Sequence, residues 1–63
     1  MTINHSDYTM TDSTGMVVWR SVTVTDNGDV VGINGTMHRR DELTISDDGN
    51  KIVVNASQCE LTR

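Results

Sequence analysis

Polar and apolar residues alternate along most of this chain, and one arrangement of them occurs three times. In each copy, apolar residues alternate with Thr or Ser, an Asp-led turn containing glycine follows, and a β-branched run comes next. The copies occupy residues 8–18, 22–31 and 43–54. A period of two indicates half-buried strands, and a glycine turn between two such strands is typical of a β-hairpin. The sequence therefore predicts an all-β fold built from successive hairpins.

The repeated pattern predicts a five-stranded antiparallel meander. The expected strands cover residues 6–11, 16–25, 29–37, 42–46 and 51–56. Together they form a single domain over residues 6–56. Residues 1–5 are expected to be a flexible N-terminus, and residues 57–63 a C-terminal tail or a short edge strand, because chain ends are ordered only where something holds them.

The Asn-Gly pair at 27–28 predicts the register of the second hairpin. A two-residue type I′ turn needs positive φ at both positions, which Asn and Gly supply. This turn would pair Val24 with Val31 and Val22 with Ile33. All four side chains then lie on one face of the sheet, and a slip of one residue would turn them to the other face.

The Asp-Gly pair at 48–49 predicts the third hairpin in the same way. It would pair Ile45 with Ile52 and Leu43 with Val54. Again the apolar residues come to one face, which is the face that a small core requires.

The first hairpin requires an irregularity. With residues 12–15 as its loop, Tyr8 would face Trp19 as an aromatic cross-strand pair inside the core. The buried positions then change from odd to even numbers near residues 20–21, which predicts a β-bulge there. Such a bend would curve the sheet into a small barrel or into two packed layers.

Composition and charge narrow the choice of partners. The chain has 63 residues, a net charge of −4 and one cysteine, so no internal disulfide forms. No apolar signal segment follows Met1 and no run reaches membrane-spanning length, which predicts a cytoplasmic protein of a cell or of an infected host cell. The net negative charge disfavours binding to nucleic acid or to anionic membranes, since both attract positively charged protein surfaces.

Four acidic residues stand in two of the predicted turns, namely Asp26, Asp29, Asp47 and Asp48. A meander places both turns at the same end of the sheet. One interpretation is that these residues form a binding surface for a basic partner protein. The other is ordinary turn chemistry, for which Asp and Asn are the usual residues. Calcium binding is the weaker alternative, because the twelve-residue calcium loop with its closing Glu is absent, and no metal site is predicted.

Three further residues are candidates for partner binding. Arg39 and Arg40 fall in the predicted loop between the third and fourth strands, at the opposite end from the acidic turns. They could bind a phosphate or carboxylate, or could form local ion pairs with the acids that follow them. Trp19 is expected in the core, but it would be an interface anchor if it were exposed.

The sequence offers no catalytic arrangement and no cofactor motif. The two histidines and Cys59 stand in no recognisable nucleophile context, and no glycine-rich phosphate loop opens a helix. The favoured interpretation is a small acidic, non-catalytic protein-binding module, an inhibitory or regulatory accessory protein of the kind that phages and mobile elements carry. The partner would be a larger, basic protein. The alternatives are a structural homo-oligomer (a fibre, spike or shell component) and a small nucleic-acid-binding barrel.

Overall fold

The computed structural model describes residues 5–63, and these form one antiparallel sheet of seven strands. The strands are β1 (His5–Thr11), β2 (Val17–Asp26), β3 (Val30–Ile33), β4 (Thr36–Arg39), β5 (Leu43–Ile45), β6 (Lys51–Val54) and β7 (Cys59–Thr62). A single 3₁₀ turn, Arg40–Glu42, connects β4 to β5. The prediction of an all-β antiparallel fold is confirmed.

The sheet curls into a nearly closed barrel. Its strand order is β4-β3-β2-β1-β7-β6-β5, so the two edge strands, β4 and β5, are neighbours in the chain. Six antiparallel pairings separate them, which makes β4 and β5 run in the same direction. No ladder among the described residues joins them, and the Arg40–Glu42 turn spans the gap.

The prediction of five strands is wrong: the sheet has seven, because the expected third strand is two strands and the C-terminal segment adds another. The expected third strand, 29–37, is the β3–β4 hairpin, which reverses at Asn34 and Gly35 with φ of 51° and 88°. These are the two left-handed residues that a type I′ turn requires. The C-terminal segment is neither a tail nor an edge strand, since β7 lies between β1 and β6. Residues 1–4 of the expected flexible N-terminus lie outside the described residues, and His5 begins β1.

A single apolar cluster fills the barrel. Its buried members come from every strand except β4: Tyr8, Val22, Val24, Val31, Ile33, Leu43, Ile52, Val54 and Leu61. Each such side chain stabilises the fold by roughly 1.5–3 kcal/mol when it leaves water. Since both halves of the sheet contribute, the cluster holds the curled sheet together across its interior.

The register predicted at residues 27–28 is wrong by two positions. Val24 pairs with Ile33 instead of Val31. The reversal lies one residue later than expected, because the Asn27 N–H donates to the Val30 carbonyl at 2.9 Å and encloses Gly28 and Asp29, of which only Gly28 has a positive φ, 83°. A shift of two keeps every side chain on its face, so Val24 and Ile33 are buried as the alternation indicated.

The register predicted for the third hairpin is confirmed. Ile45 pairs with Ile52 and Leu43 with Val54. The turn itself differs from type I′, since Gly49 has a φ of 73° but Asp48 is not left-handed. The Gly49 N–H donates to the Ser46 carbonyl at 3.0 Å, so the tight turn spans residues 46–49 and begins one residue earlier than expected.

The bulge predicted near residues 20–21 is present in β2. Tyr8 pairs with Val22 and Met10 with Trp19, so two residues of β2 stand opposite the single Thr9. Ser21 has a φ of 55°, a left-handed conformation that bends the strand. The predicted Tyr8–Trp19 pair does not form, because a second irregularity at Val18 places Trp19 opposite Met10 and the bulge at 20–21 places Val22 opposite Tyr8.

Candidate functional site

Four of the five large apolar side chains that are exposed among the described residues lie together at the start of β2, and the fifth, Met37, lies on β4. Met16 is 69% exposed, Val17 and Val18 are 45% exposed and Trp19 is 53% exposed. These four residues are consecutive, and Arg20 follows them. We call Met16, Val17, Val18, Trp19 and Arg20 the Trp19 surface. Successive side chains of a strand point to opposite faces of the sheet, so β2 exposes apolar side chains on both faces at this end.

The Trp19 surface exists because neighbouring strands differ in length. β2 has ten residues and β3 has four, and the β2–β3 ladder covers only Val24–Asp26. The last backbone bond on that side runs from the Asn34 N–H to the Thr23 carbonyl, at 2.8 Å. Residues 17–22 pair with β1 on one side, and their outer edge forms no ladder with any described residue.

An apolar groove lies beside this edge, between β2 and the tip of the β3–β4 hairpin. Its volume is about 250 Å³, and it is lined by Met10, Val18, Trp19, Ile33, Asn34, Thr36 and His38. Trp19 lies beyond the end of the β2–β3 ladder, and its side chain is 53% exposed. The expectation of a core Trp19 is therefore wrong, and the residue takes the alternative place, on the surface.

Arg20 is distinct among the basic residues. The other four each have an acidic partner: Arg39 with Asp41 at 2.8 Å, Arg40 with Asp26, Lys51 with Glu60 at 2.9 Å, and Arg63 with Asp7 at 3.1 Å. Arg20 forms no ion pair with any of residues 5–63. Its guanidinium is available to a ligand or to a partner chain.

Asp12 stands at the other end of the Trp19 surface, in the turn that enters β2. Its Oδ1 accepts hydrogen bonds from the Thr14 hydroxyl at 2.6 Å, the Thr14 N–H at 2.9 Å and the Met16 N–H at 3.1 Å. These bonds lower the pKa of Asp12, so the carboxylate is charged at neutral pH. No cation among the described residues pairs with it.

The two acidic turns lie at one end of the barrel, as expected. The first turn follows the part of β2 that pairs with His5, at the start of β1. The second turn is held beside the same half of β1, because the Arg63 N–H donates to the Asn50 carbonyl at 3.0 Å while its Nε donates to Asp7 at 3.1 Å. The turn that contains Asp12 follows the opposite end of β1.

The predicted placement of Arg39 and Arg40 is wrong, because both lie at the acidic end. The Arg40 guanidinium binds Asp26 and donates to the Gly28 carbonyl at 2.6 Å. The extra reversal between β3 and β4 returns the chain to that end. Arg39 pairs with Asp41 at 2.8 Å, a local ion pair of the predicted kind, whereas Arg40 pairs with Asp26 and not with the acids that follow it.

Two of the four acidic turn residues serve the turns themselves. Hydrogen bonds from the Arg40 guanidinium and then the Gly28 N–H lower the pKa of Asp26. The Ser46 hydroxyl and the Asn50 N–H lower the pKa of Asp48. Asp29 and Asp47 are exposed, and their carboxylates bond to no other described residue.

Two further features, a metal site and a membrane-spanning helix, were sought among the described residues. Within 5–63, no group of three or more His, Cys, Asp or Glu side chains is arranged to hold a metal ion. Over the same range there is no helix with the length and hydrophobicity to cross a membrane. Comparisons of the chain with protein-family models, with curated proteins and with solved structures give no match.

Sequence reasoning missed the free edge of β2, although one signal for it is present. Residues 16–19 are four apolar residues in succession, which breaks the alternation seen elsewhere in the chain. A strand buried on one face needs only every second residue to be apolar. The uninterrupted run therefore indicates a surface that is covered on both faces or that meets a partner.

Proposed function

We propose that this protein is a small non-catalytic interaction module that binds another protein through the Trp19 surface. One observation carries the proposal: four consecutive apolar side chains, each 45% exposed or more, lie on a strand whose outer edge has no ladder partner among the described residues. A free strand edge binds a second chain through main-chain hydrogen bonds, and the side chains beside it give specificity.

The residue types at this edge support a protein partner. Trp and Arg are over-represented among the residues that dominate protein interfaces, and here Trp19 and Arg20 are adjacent. The groove next to Trp19 offers an apolar recess for a partner side chain. Binding without catalysis is what an inhibitory or regulatory accessory protein does, and this remains the function that we favour.

The distribution of charge supports a protein over nucleic acid. Arg39 and Arg40 already bind carboxylates, so Arg20 is the one Arg or Lys among residues 5–63 without an acidic partner, on a chain of net charge −4. Single-strand binding needs a basic groove with several stacking aromatics. A basic partner protein could still contact Asp29 and Asp47 at the acidic end, as a surface separate from Trp19.

Site-specific photo-crosslinking tests the proposal. A benzophenone amino acid replaces Trp19 in one variant and, as controls at the far end of the barrel, Asp29 or Asp47 in two others. The variants are expressed in the organism that produces the protein and irradiated there. We expect a discrete protein adduct from position 19 and none from position 29. The identity of the crosslinked protein does not affect this test.

The outcomes separate the candidate surfaces. Adducts only from positions 29 and 47 would move the interface to the acidic turns and reject the Trp19 surface. An absence of adducts from all three positions would reject the interaction module. A Val18→Lys substitution in the position-19 variant should abolish the adduct, because a charged side chain cannot enter a dry apolar contact.

A further inference from the structure

We infer that the chain that covers the Trp19 surface is a second copy of this protein, paired antiparallel along the outer edge of β2. This inference rests on the proposed function, because a surface that contacts no protein contacts no second copy either. It specifies the occupant, and the choice depends on the positions of two charged residues.

An outer strand edge is complementary to itself when two copies meet about a two-fold axis. Antiparallel pairing exchanges the same donors and acceptors in both directions, so each contact occurs twice. Residues 17–22 form no ladder on that edge with any described residue. With the axis near Val18, the two seven-stranded sheets would become one continuous sheet.

The charges at the two ends of the edge match under this symmetry. Arg20 lies at one end, and Asp12 lies in the turn at the other end, where its Oδ1 accepts the Met16 N–H at 3.1 Å. Antiparallel pairing brings Arg20 of each copy to the turn that holds Asp12 in the other. Neither side chain has an ion-pair partner among residues 5–63 of its own chain. The dimer therefore forms two equivalent Arg20–Asp12 pairs.

The two acidic turns do not oppose this arrangement. Asp26, Asp29, Asp47 and Asp48 lie at the end of the barrel away from the Asp12 turn. A two-fold axis near Val18 directs the two acidic ends away from each other. The centre of the contact then consists of apolar side chains with the ion pairs at its rim, the usual anatomy of a protein interface.

The symmetry also limits the size of the assembly. A two-fold contact uses the same patch on both copies and closes at two, whereas a fibre or shell needs a second, different contact. The bulge at Ser21 twists β2 beyond the paired segment, which restricts pairing to a short length of edge. We therefore expect a discrete dimer and not an open polymer.

Charge exchange tests the inference directly. Sedimentation equilibrium measures the dimer dissociation constant of the full chain and of the variants Arg20→Glu and Asp12→Arg. Each single variant places like charges at both rim contacts and should raise the dissociation constant by roughly tenfold or more. An equimolar mixture of the two variants restores opposite charges at both contacts, so a heterodimer should form with near wild-type affinity.

A conservative variant controls for damage to the Asp12 turn. Asp12→Asn keeps an oxygen that can accept the Thr14 and Met16 N–H groups but removes the charge, so its dimer should be weaker while its thermal melt stays close to wild type. Recovery in the mixture cannot arise from misfolding, because each chain there carries the same substitution as it does alone.

Several outcomes would overturn the inference. A wild-type chain that stays monomeric at high micromolar concentration excludes the dimer, as does a dimer that the charge variants leave unchanged. A monomer that nevertheless gives an adduct with a different protein from position 19 rejects the second copy and leaves the proposed function standing. A monomer with no adduct from any position rejects both.

Discussion

The phenol of Tyr8 donates a hydrogen bond to the backbone carbonyl of Gly49, 41 residues later in the chain. Tyr8 is wholly buried, and Gly49 is buried in the turn between β5 and β6. β1 is the central strand of the sheet and β5 is an edge strand, so this bond ties an outer hairpin to the middle of the barrel. Buried polar atoms without partners are costly, and here each atom satisfies the other.

Removing the phenol tests this connection. We expect Tyr8→Phe to lower the free energy of unfolding by about 1–2 kcal/mol, because the Gly49 carbonyl loses its donor while the ring still fills the core. Urea unfolding followed by circular dichroism measures the change. Thr11→Val is the matched control, since its hydroxyl donates to the Glu60 carbonyl over a long 3.5 Å. Equal losses in the two variants would contradict the role of the Tyr8 bond.

The same residue predicts a decline in stability at alkaline pH. Burial raises the pKa of Tyr8, although the nearby Arg63 guanidinium opposes the rise. The folded state thus holds the phenol proton more tightly than the unfolded chain does. The resulting stabilisation is complete below the ordinary tyrosine pKa near 10, and it is lost as the pH rises through the higher pKa of the folded state. Unfolding at about pH 8 and about pH 11 should show a larger loss for wild type than for Tyr8→Phe. Parallel losses would mean that Tyr8 does not titrate with folding.

For Asp26 we expect the opposite pH dependence of stability, a loss at acidic pH. The Arg40 guanidinium and the Gly28 N–H lower its pKa in the folded state. The stabilisation is therefore present above the ordinary value near pH 4 and disappears as the pH falls through the lower, folded value. We expect Asp26→Asn to cost about 1 kcal/mol at neutral pH, a modest loss because the Arg40 side chain is 41% exposed to screening solvent.

The acid titration of that variant is the decisive measurement. The difference in unfolding free energy between wild type and Asp26→Asn should shrink towards zero at about pH 2. Asp47→Asn serves as the control, because the exposed Asp47 carboxylate bonds to no other described residue and its loss should change stability little. A difference that stays constant with pH would mean that the carboxylate charge of Asp26 plays no part.

The alternation of residues predicted which side chains are buried better than it predicted which strands they pair with. Val24 and Ile33 are both in the core, although Val24 was expected opposite Val31. Burial depends on the parity of a position within its strand, and a register shift of two preserves parity. The shift arises in the turn after Asp26, where hydrogen bonds that no alternation encodes place the reversal one residue later.

Two errors have local and non-local causes. The reversal at Asn34-Gly35 was available from the sequence, because the same dipeptide served as a turn signal at 27–28. It was overlooked because apolar residues stand on both sides of it at strand spacing. The exposure of Trp19 could not be derived from the local sequence, since it depends on β2, with ten residues, extending beyond β3, with four. The candidate site follows from that difference in length.

The bulge in β2 predicts a stabilising substitution. Ser21 has a φ of 55°, which costs a non-glycine residue energy that glycine does not pay. We expect Ser21→Gly to raise the free energy of unfolding by about 0.5–1 kcal/mol and Ser21→Val to lower it by more than about 1 kcal/mol. Thermal and urea unfolding measure both. Ser13→Gly is the control, because Ser13 has no positive φ, and stabilisation of that variant by the same amount would disconnect the gain from the bulge.

Trp19 and Val24 predict a contrast between the surface and the core within one strand. Trp19 is 53% exposed and Val24 is 1% exposed. We expect Trp19→Ala, measured at a dilution where the chain is monomeric, to change the free energy of unfolding by no more than about 0.5 kcal/mol. Val24→Asp should prevent folding, because it places an unpaired carboxylate inside the barrel. Circular dichroism with urea measures both variants, and a large loss in Trp19→Ala would return the indole to the core and remove the basis for the Trp19 surface.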